Sequence, residues 1–158
     1  MSDYYGKLRD AGITPSVQRV AIYQYLCENI IHPTVDTMFS VLSQSYPTLS
    51  KTTIYNTVKL FEKAHLVKTI KIDDDTVRYD ADMSDHNHFK CMECGKIYDL
   101  CANTSECKRA CISHLPEGFQ LAASDLYLFG LCPDCSPKET SQGETHCGDT
   151  CEHCDMCK

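Results

Sequence analysis

Two pairs of cysteines carry the firmest chemistry in this chain: Cys91-x2-Cys94 and Cys132-x2-Cys135. Two intervening residues let both sulfurs of a pair reach one ion at about 2.3 Å, and two such pairs complete a tetrahedron. Four thiolates leave no open coordination position, so the spacing predicts a structural Zn(2+) and not a catalytic one. Four free thiols or an iron–sulfur site are the competing readings. A second group has mixed donors. His86 and His88 precede the first pair, Asp99 follows it, and Asp80 stands just before a polar stretch. In an extended segment residues 86 and 88 point the same way. Nitrogen and oxygen donors suit Fe(2+), Mn(2+), Co(2+) or Zn(2+), although any one of these side chains alone reads as an ordinary surface residue. Near the C-terminus, His146, Cys147, Cys151, His153, Cys154 and Cys157 lie close together. Cys147, Cys151, Cys154 and Cys157 could take an extra metal, and an unstructured thiol tail is the alternative. Cys101, Cys107 and Cys111 read as buried thiols, with redox reactivity as the alternative.

The rest of the composition sets bounds on this chemistry. The chain has 158 residues, 42% of them hydrophobic and 23% charged, which is ordinary for a globular protein. No apolar run approaches the roughly 20 residues of a membrane span. The opening MSDYYGKLRD has neither the basic nor the apolar region of a secretory signal, so a cytoplasmic protein is expected. The cytosol keeps thiols reduced, and twelve cysteines there point to metal before disulfides. Charge divides unevenly. Residues 1–79 carry nine Lys/Arg against eight Asp/Glu, while residues 80–158 carry six against fourteen. The second part is thus acidic enough to attract cations.

Before that acidic part, residues 3–64 read as four helices. Thr14-Pro15 predicts the start of the second, which places Val20, Tyr23, Cys27 and Ile30 on one face. His32-Pro33-Thr34 stops it and caps the third, where Val35, Met38, Phe39, Leu42 and Tyr46 recur at helical spacing. Ser50 caps a fourth helix over about 51–64 that buries Ile54, Val58 and Phe61. Two strands, 67–72 and 76–80, then flank the turn Asp73-Asp74-Asp75. Helices followed by a hairpin make a winged helix-turn-helix. The other face of the fourth helix offers Lys51, Thr52, Tyr55, Asn56, Lys59 and Lys63, types that suit phosphate and base-edge contacts, and Thr53 is a further DNA-contact candidate. Arg19 and Lys7 are further phosphate candidates. A small helical domain with a solvated polar face is the plainer reading. Residues 81–88 look like a hinge, 89–100 like a strand broken by CMECG, 104–115 like a short helix, and 126–131 like an apolar strand. The expected class is α+β: a winged-helix domain over 1–81, a hinge and small α/β dimerisation domain with a four-cysteine zinc site over 82–136, and a flexible tail over 137–158.

The segments IHPTVDTMF, SKTTIYNTVKLFEKAHLV, RYDADMSDHNHFKCMECGKIYDL and LFGLCPDC resemble the ferric uptake regulator family, from about Tyr4 to Ser136. The resemblance implies a homodimer that binds palindromic operator DNA when loaded with metal. It implies regulatory ligands at His32, Asp80, His86, His88 and Asp99, taking Fe(2+) or Mn(2+), and structural zinc on the four paired cysteines. Asp99 is similar to the peroxide-sensing members, whereas iron-uptake members have Glu there. Peroxide sensing implies oxidation of a ligand histidine, His32 or His86, with hydrogen peroxide the one small molecule involved. Where some relatives hold a further metal with a histidine, this chain has Ala122-Ala123-Ser124-Asp125. Three functions thus follow: a peroxide-responsive repressor, a regulator of iron or other metal uptake, and, from another class, a metal-storage or redox protein. No nucleophile with a general base is visible, so an enzyme is not expected.

Overall fold

The computed structural model describes residues 3–73, 75–100, 109, 112–122 and 124–137. The chain forms two compact units, one ending at Asp85 and the other starting at His86, and each is taken by itself. Among the described residues no helix is long and apolar enough to cross a membrane.

Among its described residues the first unit contains four helices, α1 (Tyr4–Asp10), α2 (Val17–Glu28), α3 (Val35–Leu42) and α4 (Lys51–Lys63). Each begins at a side-chain oxygen that accepts an otherwise orphaned backbone N–H: Asp3 from Gly6, Ser16 from Arg19, Thr34 from Thr37 and Ser50 from Thr53. Caps of this kind are worth about 1 kcal/mol each. The cap of α2 is Ser16, and the expected Thr14-Pro15 start lies outside the helix. Arg19 takes up the Thr14 carbonyl instead, at 2.7 Å.

Two further expectations about these helices change. The buried residues of α2 are Ala21, Ile22, Tyr23 and Leu26, while Val20 and Cys27 are half-buried and Ile30 is exposed beyond the helix end. Apolar side chains surround α2 on nearly every side, so spacing alone does not single out its inner face. Helix α3 ends at Leu42, and Tyr46 follows in a turn, its N–H bonded to the Leu42 carbonyl. Pro47 disfavours a helical conformation at the residue before it. In α4, Ile54, Val58 and Phe61 are buried, joined by Thr57.

The core of this unit gathers Leu8, Ile22, Leu26, Met38, Ile54 and Phe61 among others. Tyr23 packs edge-on to Phe61, with ring centroids 5.5 Å apart. A hairpin of β1 (Lys68–Ile70) and β2 (Arg78–Asp80) closes the unit, pairing Lys68 with Asp80 and Ile70 with Arg78. Both strands are shorter than expected, and Asp73, beyond the end of β1, forms an ion pair with Arg78 at 2.5 Å. Four helices and this wing make a winged helix-turn-helix.

The described part of the second unit is built on a three-stranded sheet in the order β4-β3-β5, with β3 (Asn87–Cys91), β4 (Ile97–Leu100) and β5 (Tyr127–Gly130). Strand β4 runs antiparallel to β3, and β5 runs parallel to it. Asn87 and His88 belong to β3, so the hinge-like polarity of 81–88 extends two residues into the sheet. The register with β4 buries both of them. The expected helix over 104–115 falls largely outside the described residues.

Candidate metal centres

The sheet of the second unit brings the two cysteine pairs together. Cys91 ends β3 opposite Gly130 of β5, two residues before Cys132. Cys91 and Cys132 are buried, Cys135 half-buried and Cys94 exposed, and their four sulfurs all lie within 4.8 Å of one another. The Cys94 and Cys132 sulfurs are 3.8 Å apart. Ligands at about 2.3 Å from one tetrahedral ion stand about 3.8 Å from each other, so the spacing suits zinc. Gly95 closes the first knuckle at φ +69, a conformation that side chains disfavour.

Backbone donors prepare these sulfurs. Backbone N–H groups of Cys94 and Cys132 hold the Cys91 thiol down to about 6, and the Cys132 N–H lies 3.3 Å from its sulfur. A hydrogen bond from the Tyr98 hydroxyl lowers Cys132, and the same bond is the main reason that Tyr98 stands well above its ordinary value. Cys135 is pushed up to about 12, first by its hydrogen bond with Cys132. Four thiolates this close cannot all ionise unless a cation neutralises them, which is what Zn(2+) does. Sequence reasoning misses Tyr98; its place in the strand after a CxxCG knuckle is the available signal.

Mixed donors occur in both units. In the second unit, the register sets His88 opposite Asp99. The Nε2 atoms of His86 and His88 are 3.1 Å apart, and both face Asp99 Oδ1, at 3.5 and 3.6 Å. Two imidazoles and a carboxylate converging in this way form a donor set suited to Fe(2+) with positions left open for other ligands. In the first unit, His32 Nε2 lies 3.9 Å from Asp80 Oδ2. His32 is 1% exposed and sits at φ +50, a region that non-glycine residues rarely occupy and that clusters at functional sites. Its loop is stitched to β2 twice: Arg78 Nη1 donates to the His32 carbonyl at 3.4 Å, and Tyr79 N–H donates to that of Pro33 at 3.2 Å. Arg78 is itself steered by Asp73. Sequence reasoning places neither Arg78 nor Asp73 at a site.

The outward face of α4 carries the residues expected to touch nucleic acid. Lys51, Thr52, Tyr55, Asn56 and Lys59 are exposed. Lys59 lies over the Tyr55 ring at 4.5 Å, and Lys51 pairs with Asp36. Thr53 is half-buried, its hydroxyl 2.8 Å from that of Ser50. A cleft of about 440 Å³ between α2 and α4 is lined by Arg19, Thr53 and Asn56. Cys101, Cys107, Cys111, Cys147, Cys151, Cys154 and Cys157 lie outside the described residues.

Residues 10–129 match the model of the ferric uptake regulator family. The chain belongs to that family. It is 34% identical to the peroxide operon regulator of Bacillus subtilis over 84% of this chain and 90% of that protein. A peroxide-responsive repressor from Staphylococcus aureus is 32% identical, covering 87% of this chain and 93% of its own. Among solved structures, the Vibrio cholerae ferric uptake regulator superposes with a TM-score of 0.68, covering 82% of this chain and 100% of that one. At 22% identity that likeness concerns the fold, and it agrees with the α+β winged-helix architecture.

Proposed function

We propose that this chain is a metal-dependent transcriptional repressor that binds operator DNA as a homodimer and lets go of it under peroxide stress. In this reading residues 1–81 read DNA and residues 82–136 bind metal and dimerise. The convergence of His86, His88 and Asp99 within 3.6 Å carries the metal dependence. His32 and Asp80 complete the ligand set, so one ion of Fe(2+) or Mn(2+) ties the winged helix to the sheet domain. A tie of this kind raises the population of the DNA-competent arrangement, and its loss lowers affinity without touching the reading helix.

One observation supports the dimer. Among the described residues strand β5 is an edge of its sheet, and it exposes Leu128 and Phe129 between Leu126 and Leu131, also exposed. An apolar edge strand left open is a hazard that a second copy removes. In a dimer, two α4 helices would enter successive major-groove faces about 34 Å apart. Arg19, Lys51, Thr52, Thr53, Tyr55, Asn56 and Lys59 would contact phosphates and bases.

Asp99 and the likeness to two peroxide regulators favour peroxide as the signal. Bound iron would supply the redox chemistry that activates peroxide. The ring of His32 or His86 then gains one oxygen atom and gives up two electrons, while the other peroxide oxygen leaves as water. An oxidised imidazole is a poorer ligand, and the tie between domains is lost.

A gel-shift assay on the chain's own promoter tests this. Retardation should require Mn(2+) or Fe(2+), and peroxide should abolish it for the iron form alone. Peptide mass spectrometry should then find one added oxygen on His32 or His86. Loss of binding with both histidines unmodified would overturn the histidine chemistry, and metal-independent retardation would overturn the repressor mechanism.

A further inference from the structure

We propose that Lys68 is a resident counter-ion of the Asp80 carboxylate and sets the metal concentration at which the regulatory site fills; this rests on the reading of His32 and Asp80 as ligands. The hairpin register places Lys68 directly opposite Asp80. The two oxygens of Asp80 have different surroundings. Oδ1 accepts the Asp82 N–H at 2.8 Å. Oδ2 meets the Lys68 ammonium at 3.3 Å and is the oxygen measured at 3.9 Å from His32 Nε2. The oxygen turned to the imidazole, where a shared ion would bind, therefore already holds a cation. Lys68 also donates to the Ser84 carbonyl at 3.3 Å, which anchors the ammonium in place.

Burial gives this pair its weight. Asp80 is 7% exposed and the Lys68 side chain 28%, so their attraction is screened less than that of a surface pair. A buried carboxylate with no counter-charge is costly, and Lys68 supplies one when no metal is bound. Metal entry meets two effects of the same sign. The attraction between Lys68 and Asp80 weakens as the carboxylate turns to the ion, and the ammonium then repels the dication. Both favour the ion-free protein, so Lys68 keeps the site empty at low metal and makes release reversible. A purely structural Lys68 makes the opposite prediction: removing it would loosen Asp80 and weaken metal binding.

The test is an Mn(2+) titration of the full-length, zinc-loaded chain, with free Mn(2+) read by electron paramagnetic resonance. Lys68→Met should bind Mn(2+) tighter by a factor of up to about ten, roughly 1.4 kcal/mol. Its operator retardation should move to lower Mn(2+) by the same factor. Lys68→Gln should shift in the same direction and stands in should Lys68→Met lose helicity. Lys68→Arg, which keeps the charge, should remain nearer the wild type than either. Neutral variants of native zinc content that bind Mn(2+) no tighter, while His32→Ala binds it more weakly, would overturn this inference alone. A His32→Ala protein that binds Mn(2+) as tightly as wild type would overturn the ligand reading and this inference with it.

Discussion

The four cysteine sulfurs and the histidine–carboxylate donors are both candidate metal-ligand sets, yet they are built in opposite ways. All four sulfurs belong to one unit, at the end of β3 and just past β5, and backbone N–H groups aim at Cys91. Among the described residues, that arrangement draws on this unit alone. The mixed donors are divided, with His32 and Asp80 in one unit and His86, His88 and Asp99 in the other. A closed set of one donor type stabilises the unit that contains it. In the proposed reading the divided set reports on metal, because one ion would hold both units. This contrast explains why one chain would use a thiolate site for folding and reserve oxygen and nitrogen ligands for sensing.

The sharpest way to break the contrast is Cys94→Ser. Structural zinc sites contribute about 10–16 kcal/mol to folding, so zinc content should fall from one ion per chain to almost none. The sheet of the second unit should unfold with it, while the helices of the first persist. Elemental analysis and far-ultraviolet circular dichroism check both parts. Retention of zinc by three sulfurs, with a native spectrum, would mean that the cysteines are not a closed structural site.

A smaller effect is expected at Arg78. Arg78 donates to the backbone carbonyl of His32, whose backbone is left-handed. Arg78→Ala should weaken Mn(2+) binding about 10–100-fold, the range for outer partners of metal ligands, and leave zinc content unchanged. Equal Mn(2+) affinity in the two proteins would show that the loop holds itself.

The two centres are legible in the sequence to different degrees, for physical reasons. Cysteine pairs are local, since each knuckle is written within four residues. His86 and His88 are also local, because alternation in an extended segment is a strong geometric rule. His32 is not. It lies far from the other donors in the chain, and its left-handed backbone is one a histidine seldom adopts, so only family resemblance points to it. Lys68 is within reach of sequence reasoning: a hairpin centred on residue 74 sets 68 opposite 80, and charge pairing across the wing leads from there to the ligand. The four helices follow from their caps and punctuation, while the inner face of α2 is obscured because Val17, Val20, Tyr25 and Cys27 make that helix apolar on several sides. Its cap is Ser16 and not Thr14 because both residues are good caps, and only the backbone turn chooses between them.

The claim that one ion joins the two units can be tested by Mn(2+) titration of three zinc-loaded proteins: wild type, Asp80→Asn and Asp99→Asn. One Mn(2+) per wild-type chain is expected, with an affinity loss of about 100-fold from either substitution and zinc content unaltered. An Asp80→Asn protein with wild-type Mn(2+) affinity, or two ions per chain lost one at a time, would contradict it.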